Sequence, residues 1–248
     1  MIHALVISID GAESNGLELL SQAARDADLA VTAVGTTWDT SGSSAALSAV
    51  SHSGQVWVQT PEYSDDGLYA LEATPAFIVR SSFYGTFGVR PDVVLVGVHE
   101  GRNTGQAILH SGTVGAALTG TARGCPSLAI SADAGAYEET VAHIAHLAVN
   151  WLLQLRKPCT LNVNIPDCPL EELRGIRHTT LDPGGRVRAA VTEAGEDLQS
   201  LTLRESPGAA DPYTDEGAVD RGFVSVTAIQ PPAEDPSVDV DELLALTS

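Results

Sequence analysis

The chain has 248 residues, of which 44% are hydrophobic and 18% are charged. This length and composition exclude a disordered chain and allow one large α/β domain or two small ones. No apolar run reaches the roughly 18 residues of a membrane span, which excludes a transmembrane protein. The N-terminus lacks the basic region of a signal peptide, and Cys125, Cys159 and Cys168 are too scattered for a disulfide framework. We therefore expect a cytoplasmic protein without a membrane partner.

The charge is strongly acidic. Thirteen Lys and Arg residues stand against 32 Asp and Glu residues, which gives a formal net charge of −19, and Lys157 is the single lysine. Such a surface repels phosphate backbones, so a nucleic-acid polymer is not expected as a partner. A small anionic substrate would need a local site made of a metal ion, a helix N-terminus or backbone amides.

Strand and helix patterns alternate along the first two thirds of the chain. In chain order, the patterns predict a strand over residues 3–9, a helix over 16–27, a strand over 29–34, a loop over 35–48 and a more exposed strand over 55–59. They continue with a central strand over 93–98, a polar loop over 99–105, a helix over 112–123, a strand over 127–131, a helix over 138–155 and a strand over 161–165. This succession predicts a Rossmann-like, doubly wound and mostly parallel sheet over residues 1–170.

The pattern changes after about residue 170. The turn signal Asp182-Pro183-Gly184-Gly185 lies between short β-like pieces and predicts a projecting β-hairpin. Residues 223–229 form the last clear strand, and an acidic, proline-bearing tail follows from Pro231. We expect residues 171–248 to form a hairpin arm, a closing strand and a tail of the same domain.

Ligands of open parallel sheets bind beyond the carboxyl ends of the strands. Three polar segments should meet there: residues 8–11, 39–44 and 99–105. Their carboxylate, hydroxyls, imidazole and amide suit either a divalent cation with a phosphate or a neutral polar ligand. Residues 109–114 then open a helix, whose free amides suit an anion. The structural alternatives are that Asp10 is a turn residue and that Ser111 and Thr113 only cap the helix.

Several segments resemble the SurE family of survival proteins, and they occur in the order in which the family has them. The best match is Pro91-Asp92-Val93-Val94-Leu95-Val96-Gly97-Val98, followed by Gly101, Asn103 and Gly105, and by His110-Ser111-Gly112-Thr113-Val114-Gly115-Ala116-Ala117. Residues 41–44, 74–76, 125–131, 161–166 and 214–227 also match. The resemblance spans nearly the whole chain. It implies a Rossmann-like fold and the activity of a metal-dependent 5'/3'-nucleotidase or phosphatase.

The resemblance is incomplete at the metal site. The Asn-Asp-Asp-Gly motif of the family falls on residues 8–11, so Ile9 replaces one metal-binding aspartate and Asp10 keeps the other. The family's serine ligand matches Ser41, and its asparagine ligand falls on His99. A further aspartate of the family is replaced by Phe77.

The resemblance therefore implies a phosphoester hydrolase with an altered site. Asp10, Ser41 and His99 would hold the divalent metal, and Asp10 and His99 would be the catalytic residues. The imidazole favours Mn²⁺ or Zn²⁺ beside Mg²⁺. The phosphate of a small phosphomonoester would bind to Asn103, Ser111, Gly112 and Thr113, with Glu100 assisting the metal and His110 as the general acid. Family members assemble through a C-terminal hairpin arm, which implies a homodimer or homotetramer.

Two alternatives stay open. In the first, the metal site is lost, and Asp10 and His99 bind a non-phosphate ligand or act as an acid–base pair. In the second, the fold serves a non-catalytic assembly.

Overall fold

The protein is described by a computed structural model. It describes residues 1–47, 58–59, 67–184, 187–193, 199–205, 210–237 and 240, with residues 58–59, 187–193 and 199–205 described by their backbone alone. The strands are β1 (His3–Ser8), β2 (Ala30–Thr36), β3 (Val58–Gln59), β4 (Leu68–Leu71), β5 (Val93–Glu100), β6 (Ser127–Ala132), β7 (Thr160–Ile165), β8 (Ile176–His178), β9 (Val187–Glu193), β10 (Gln199–Glu205) and β11 (Val224–Ile229). The α-helices are α1 (Asn15–Asp26), α2 (Pro75–Ser82), α3 (Gly112–Ala122), α4 (Glu138–Leu153) and α5 (Asp215–Val219), and short 3-10 helices span Gly105–His110 and Leu170–Glu172.

In the described part of the chain, nine strands form one sheet in the order β3-β4-β2-β1-β5-β6-β7-β11-β8. The six strands from β4 to β7 are parallel to one another. β3 runs antiparallel to β4, and β11 runs antiparallel to β7 and parallel to β8. The chain proceeds from β1 outward on one side and then from β5 outward on the other. The predicted doubly wound fold is therefore confirmed, and its switch point lies between β1 and β5.

Two hydrophobic clusters cover the sheet, and successive residues of β1 alternate between them. One cluster joins the sheet to α1 and α4, through residues that include Val6, Leu95, Leu20 and Ile144. The other joins it to α2 and α3, through residues that include Ile7, Val96, Ile78 and Val114. Burial on both faces explains why these strands are almost continuously apolar in sequence. It also holds the carboxyl ends of β1 and β5 side by side.

The structure corrects several boundaries. β5 continues to Glu100, so His99 lies on the strand and the loop begins at Gly101. The predicted hairpin is present as β9 and β10, which pair only with each other among the described strands. The turn that begins at Asp182 precedes this hairpin and does not form its tip. There the Asp182 carboxylate accepts the Gly184 N–H at 2.8 Å.

Other parts of the chain were only partly predicted. Of the strand expected over residues 55–59, the structure describes Val58–Gln59, and the rest lies outside the described residues. The strands β4 and β8 and the helices α2 and α5 were not predicted. Residues 232–237 of the acidic tail are exposed. Among the described residues, no helix is both long enough and apolar enough to span a membrane.

Candidate active site

Asp10 and His99 meet at the switch point of the sheet. His99 Nδ1 lies 3.0 Å from Asp10 Oδ1 and 3.2 Å from Oδ2. The backbone N–H of Glu100 donates to the same carboxylate at 3.4 Å. The backbone of Asp10 is anchored as well, because its N–H donates to Ser8 Oγ at 3.1 Å. The side chains of His99 and Asp10 are 14% and 27% exposed, so both are partly shielded and still reachable from solvent.

Ser41 lies in the same region and is held by the carboxylate of Asp39, which was not predicted as a site residue. The Ser41 hydroxyl and the Ser41 N–H both donate to Asp39 Oδ1, at 2.6 and 2.9 Å. The hydrogen bond from the Ser41 side chain, and then that from its amide, lower the pKa of Asp39. Burial opposes them by less, and the charge of His99 makes the smallest contribution, which also lowers the pKa. An Asp two residues before a Ser in a loop is a recognisable turn pattern, which could have pointed to Asp39.

These side chains line one cleft of about 440 Å³. Its walls include Ile9, Asp10, Asp39, Ser41, His99 and Glu100. Ile9 is only 1% exposed and offers no ligand atom. Within the described ranges, no three Asp, Glu, His or Cys side chains are grouped closely enough to hold a metal ion. Ile9 therefore leaves position 9 without the carboxylate of the family pattern.

The predicted phosphate segment touches this cleft through Ser41. The Gly112 N–H donates to the Ser41 carbonyl at 2.9 Å, which joins the start of α3 to the loop after β2. Ser111 caps α3, since its hydroxyl accepts the Val114 N–H at 3.2 Å. Thr113 Oγ1 is buried, with no hydrogen-bond partner in the described structure, and the same is true of Ser43 Oγ. Buried hydroxyls normally find a partner, so these two suit a bound anion.

Asn103 lies in a network of buried hydrogen bonds. Its side chain donates from Nδ2 to Ser131 Oγ at 2.6 Å, and its N–H donates to Asn164 Oδ1 at 2.7 Å. The side-chain amides of Asn162 and Asn164 donate to its carbonyl at 2.8 and 3.0 Å. Asn103 is buried and is not part of the cleft wall. These bonds fix the loop that follows β5, while a contact with phosphate stays a prediction.

His110 and Phe77 also lie outside the cleft wall. His110 is exposed, and its carbonyl accepts the Ser44 N–H at 3.1 Å. The role of His110 as a general acid therefore stays a prediction. Phe77 packs against the cluster that contains Ile7, so it replaces an aspartate with part of the core.

Arg102 anchors the loop after β5, a role that the sequence analysis did not predict. Arg102 makes two hydrogen bonds to Asp133, at 2.6 and 2.9 Å, and contacts Glu216 at 2.9 Å and Asp220 at 2.5 Å. Burial alone would lower the pKa of Arg102, but the hydrogen bonds and charges of these carboxylates raise it well above its usual range. Nearby, the buried Asp215 accepts the Gly105 N–H at 2.8 Å. The loop after β5 is thus tied to α5, far along the chain.

A larger groove of about 680 Å³ lies along α3, and it includes Leu109, Leu118 and Leu181. None of the described residues that line it is an Asp, Glu or His. The titratable groups that chemistry needs are in the smaller cleft, so that cleft is the candidate site.

The comparisons with known proteins agree with this fold. A model of the family described as "Survival protein SurE" matches residues 4–185. The chain belongs to the SurE family. Among its relatives, the "5'-nucleotidase SurE" of Mannheimia succiniciproducens is 32% identical over 237 residues, with 92% of each chain covered. The "5'/3'-nucleotidase SurE" of Cronobacter sakazakii is 34% identical over 236 residues, covering 92% of this chain and 90% of that one.

A solved structure extends the SurE likeness to three dimensions. The crystal structure of the SurE protein from Aquifex aeolicus is 27% identical and superposes with a TM-score of 0.84. It covers 99% of this chain and 100% of its own. The family resemblance and the Rossmann-like fold that the sequence predicted are both confirmed.

Proposed function

We propose that this protein is a phosphatase of the nucleotidase type, which hydrolyses small phosphomonoesters. Its SurE relatives are named 5'-nucleotidase and 5'/3'-nucleotidase. The observation that carries the proposal is the hydrogen bond from Gly112 to the Ser41 carbonyl. It places the cleft of Asp10 and His99 next to the start of α3, so the two predicted halves of a phosphoryl-transfer site are adjacent. The Gly112 N–H is itself occupied by this bond, so a phosphate there would be held by other groups of the segment.

The donor set fits one divalent cation. Asp10 supplies a carboxylate, His99 an imidazole nitrogen and Ser41 a hydroxyl, all in the wall of one cleft. With one carboxylate and one imidazole, this set favours Mn²⁺ or Zn²⁺ over Mg²⁺, which prefers oxygen ligands. A cation bound there would polarise the phosphoryl oxygen and lower the pKa of a bound water.

The charge of the cleft also supports a cation. The cleft wall contains three carboxylates, those of Asp10, Asp39 and Glu100, and one imidazole, that of His99. A phosphate dianion is repelled by such a wall unless a positive charge is present. Asp39 holds the Ser41 hydroxyl in place, and Thr113 at the start of α3 binds a phosphate oxygen through its buried hydroxyl.

A second function is favoured by the direct contact between Asp10 and His99. A carboxylate 3.0 Å from Nδ1 orients the imidazole and selects its tautomer, as in an acid–base pair that needs no metal. The missing carboxylate at Ile9 is compatible with this alternative.

The test is phosphate release from a panel of nucleoside monophosphates and an aryl phosphate. The protein is stripped with chelator and reloaded with Mg²⁺, Mn²⁺, Zn²⁺ or no metal. We expect activity that returns with Mn²⁺ or Zn²⁺ and that Asp10→Asn abolishes. The control Asp26→Asn, at the exposed end of α1, should keep it. Phosphate release that survives chelation would contradict the metal-dependent proposal. Silence with every ion would overturn the phosphatase and leave the acid–base pair, acting on a substrate without phosphate, as the function to test.

Two further inferences concern the assembly of the protein and its location. We infer a homodimer or homotetramer in which residues 171–248, with the β9–β10 hairpin, contribute contacts, and we place the protein in the cytoplasm. Sedimentation of the full chain, compared with a chain whose hairpin is replaced by a short Gly-Ser linker, tests the assembly. A full chain that sediments as a monomer would contradict it.

A further inference from the structure

One large aromatic residue lines the cleft. Trp38 belongs to the cleft wall and is 46% exposed. It is the only Phe, Tyr or Trp among the described residues of that wall. Single exposed apolar residues are common on protein surfaces. Trp38 differs because most of the other residues in this wall are polar, with carboxylate, hydroxyl or imidazole side chains.

The backbone on both sides of Trp38 is held firmly. The Thr36 hydroxyl lies 2.9 Å from the Ile9 carbonyl and 3.0 Å from the Trp38 carbonyl, and it can donate to either. This contact ties the end of β2 to the end of β1. Immediately after Trp38, Asp39 accepts the two hydrogen bonds from Ser41. The indole is therefore presented from a short, anchored segment three residues before Ser41.

We propose that Trp38 is the residue of this chain that recognises the base of a nucleotide, by stacking on it, and so disfavours phosphomonoesters without a ring. This inference rests on the proposed function and adds a specificity-determining residue to it. An indole face attracts any planar base, and stacking depends little on which base it is. A cleft of about 440 Å³ is within the usual range for a small-molecule site. The preference should therefore be strong for a base and weak among bases.

Binding can be measured without catalysis. Adenosine, which carries no phosphate, is titrated while tryptophan fluorescence is recorded, and ribose serves as the ligand without a base. We expect saturable quenching by adenosine and none by ribose. Trp38→Leu should remove the quenching, whereas the matched control Trp151→Phe, on α4, should retain it. Equal quenching in wild type and Trp38→Leu would overturn the proposal.

Kinetics give an independent measurement. The ratio of kcat/KM for adenosine monophosphate to kcat/KM for ribose 5-phosphate should fall about 5-fold to 100-fold in Trp38→Leu, the range expected for loss of one base–aromatic stack. Trp38→Phe, which keeps a ring, should retain most of the ratio, and Trp151→Phe all of it. An unchanged ratio in Trp38→Leu would contradict the inference. If no phosphomonoester is hydrolysed, the proposed function fails, while the adenosine titration still decides the role of Trp38.

Discussion

Gly112 is the residue at which the two halves of the proposed site touch, and replacing it tests whether that contact matters. A Cβ atom at Gly112 would lie 2.4 Å from the Thr40 carbonyl oxygen and 2.8 Å from Ser43 Oγ. The first of these atoms belongs to the backbone and cannot rotate away. Gly112→Ala must therefore push the start of α3 away from the loop after β2, and with it stretch the 2.9 Å hydrogen bond to Ser41.

The expected cost follows from three opposing effects. Overpacking of a tight contact costs about 1–3 kcal/mol. A weakened hydrogen bond adds about 1 kcal/mol. Alanine gains back up to about 1 kcal/mol over glycine, because it is the better helix former. The net expectation for Gly112→Ala is a free energy of unfolding that is lower by about 1–3 kcal/mol.

Urea unfolding and phosphate release measure the two consequences. A shift of about 1 Å between the groups that hold a substrate can reduce a rate about 100-fold, so we expect kcat/KM to fall at least about tenfold. The matched control is Gly42→Ala in the same loop, because a Cβ there meets nothing within 4 Å. The reasoning is refuted if Gly112→Ala unfolds at the wild-type urea concentration and keeps the wild-type kcat/KM.

Three further substitutions test the site and its support. Ile9→Asp returns the family carboxylate and should increase the thermal stabilisation by Mg²⁺ while lowering the melting temperature without metal, since residue 9 is buried; an unchanged Mg²⁺ response would count against it. Arg102→Met should lower the free energy of unfolding in urea by about 3–5 kcal/mol, because it removes the cation that Asp133 and Glu216 contact, and an unchanged urea midpoint would contradict it. Burial raises the pKa of Asp215 above 3.8, so wild type should lose stability relative to Asp215→Asn as the pH rises through that raised pKa; a pH-independent difference would contradict the burial effect.

The sheet was predictable because its central strands are buried on both faces. β1 and β5 are nearly continuous apolar runs, which is the pattern typical of a parallel strand that is covered on both faces. The elements that escaped prediction are short. β4 has four residues and α2 only two turns, too few for periodicity to be visible. For α2 a local signal existed, since Thr74-Pro75 is a favourable helix start.

Only the part of the site that follows from the order of the strands could be predicted from the sequence. Asp10 and His99 come together because β1 and β5 are neighbours, which the strand order alone implies. The position of Asn103 depends instead on Asn162 and Asn164, two buried residues of β7 whose amides draw its carbonyl inward. Arg102 is likewise defined by Asp133 and Glu216, which lie far away in sequence. No local sequence pattern predicts contacts between residues that are so far apart in the chain.

The two candidate chemistries differ in substrate charge as well as in cofactor. Two like unit charges 8 Å apart repel by about 2 kcal/mol at an effective dielectric constant of about 20, and the cleft wall contains three carboxylates. Without a cation, the cleft therefore disfavours every phosphomonoester, whatever the orientation of His99 by Asp10. A metal-independent acid–base pair is consistent only with a neutral or cationic substrate. Metal dependence and phosphatase activity should accordingly be gained or lost together, and a metal-free phosphatase is the one outcome that the electrostatics of this cleft disfavour.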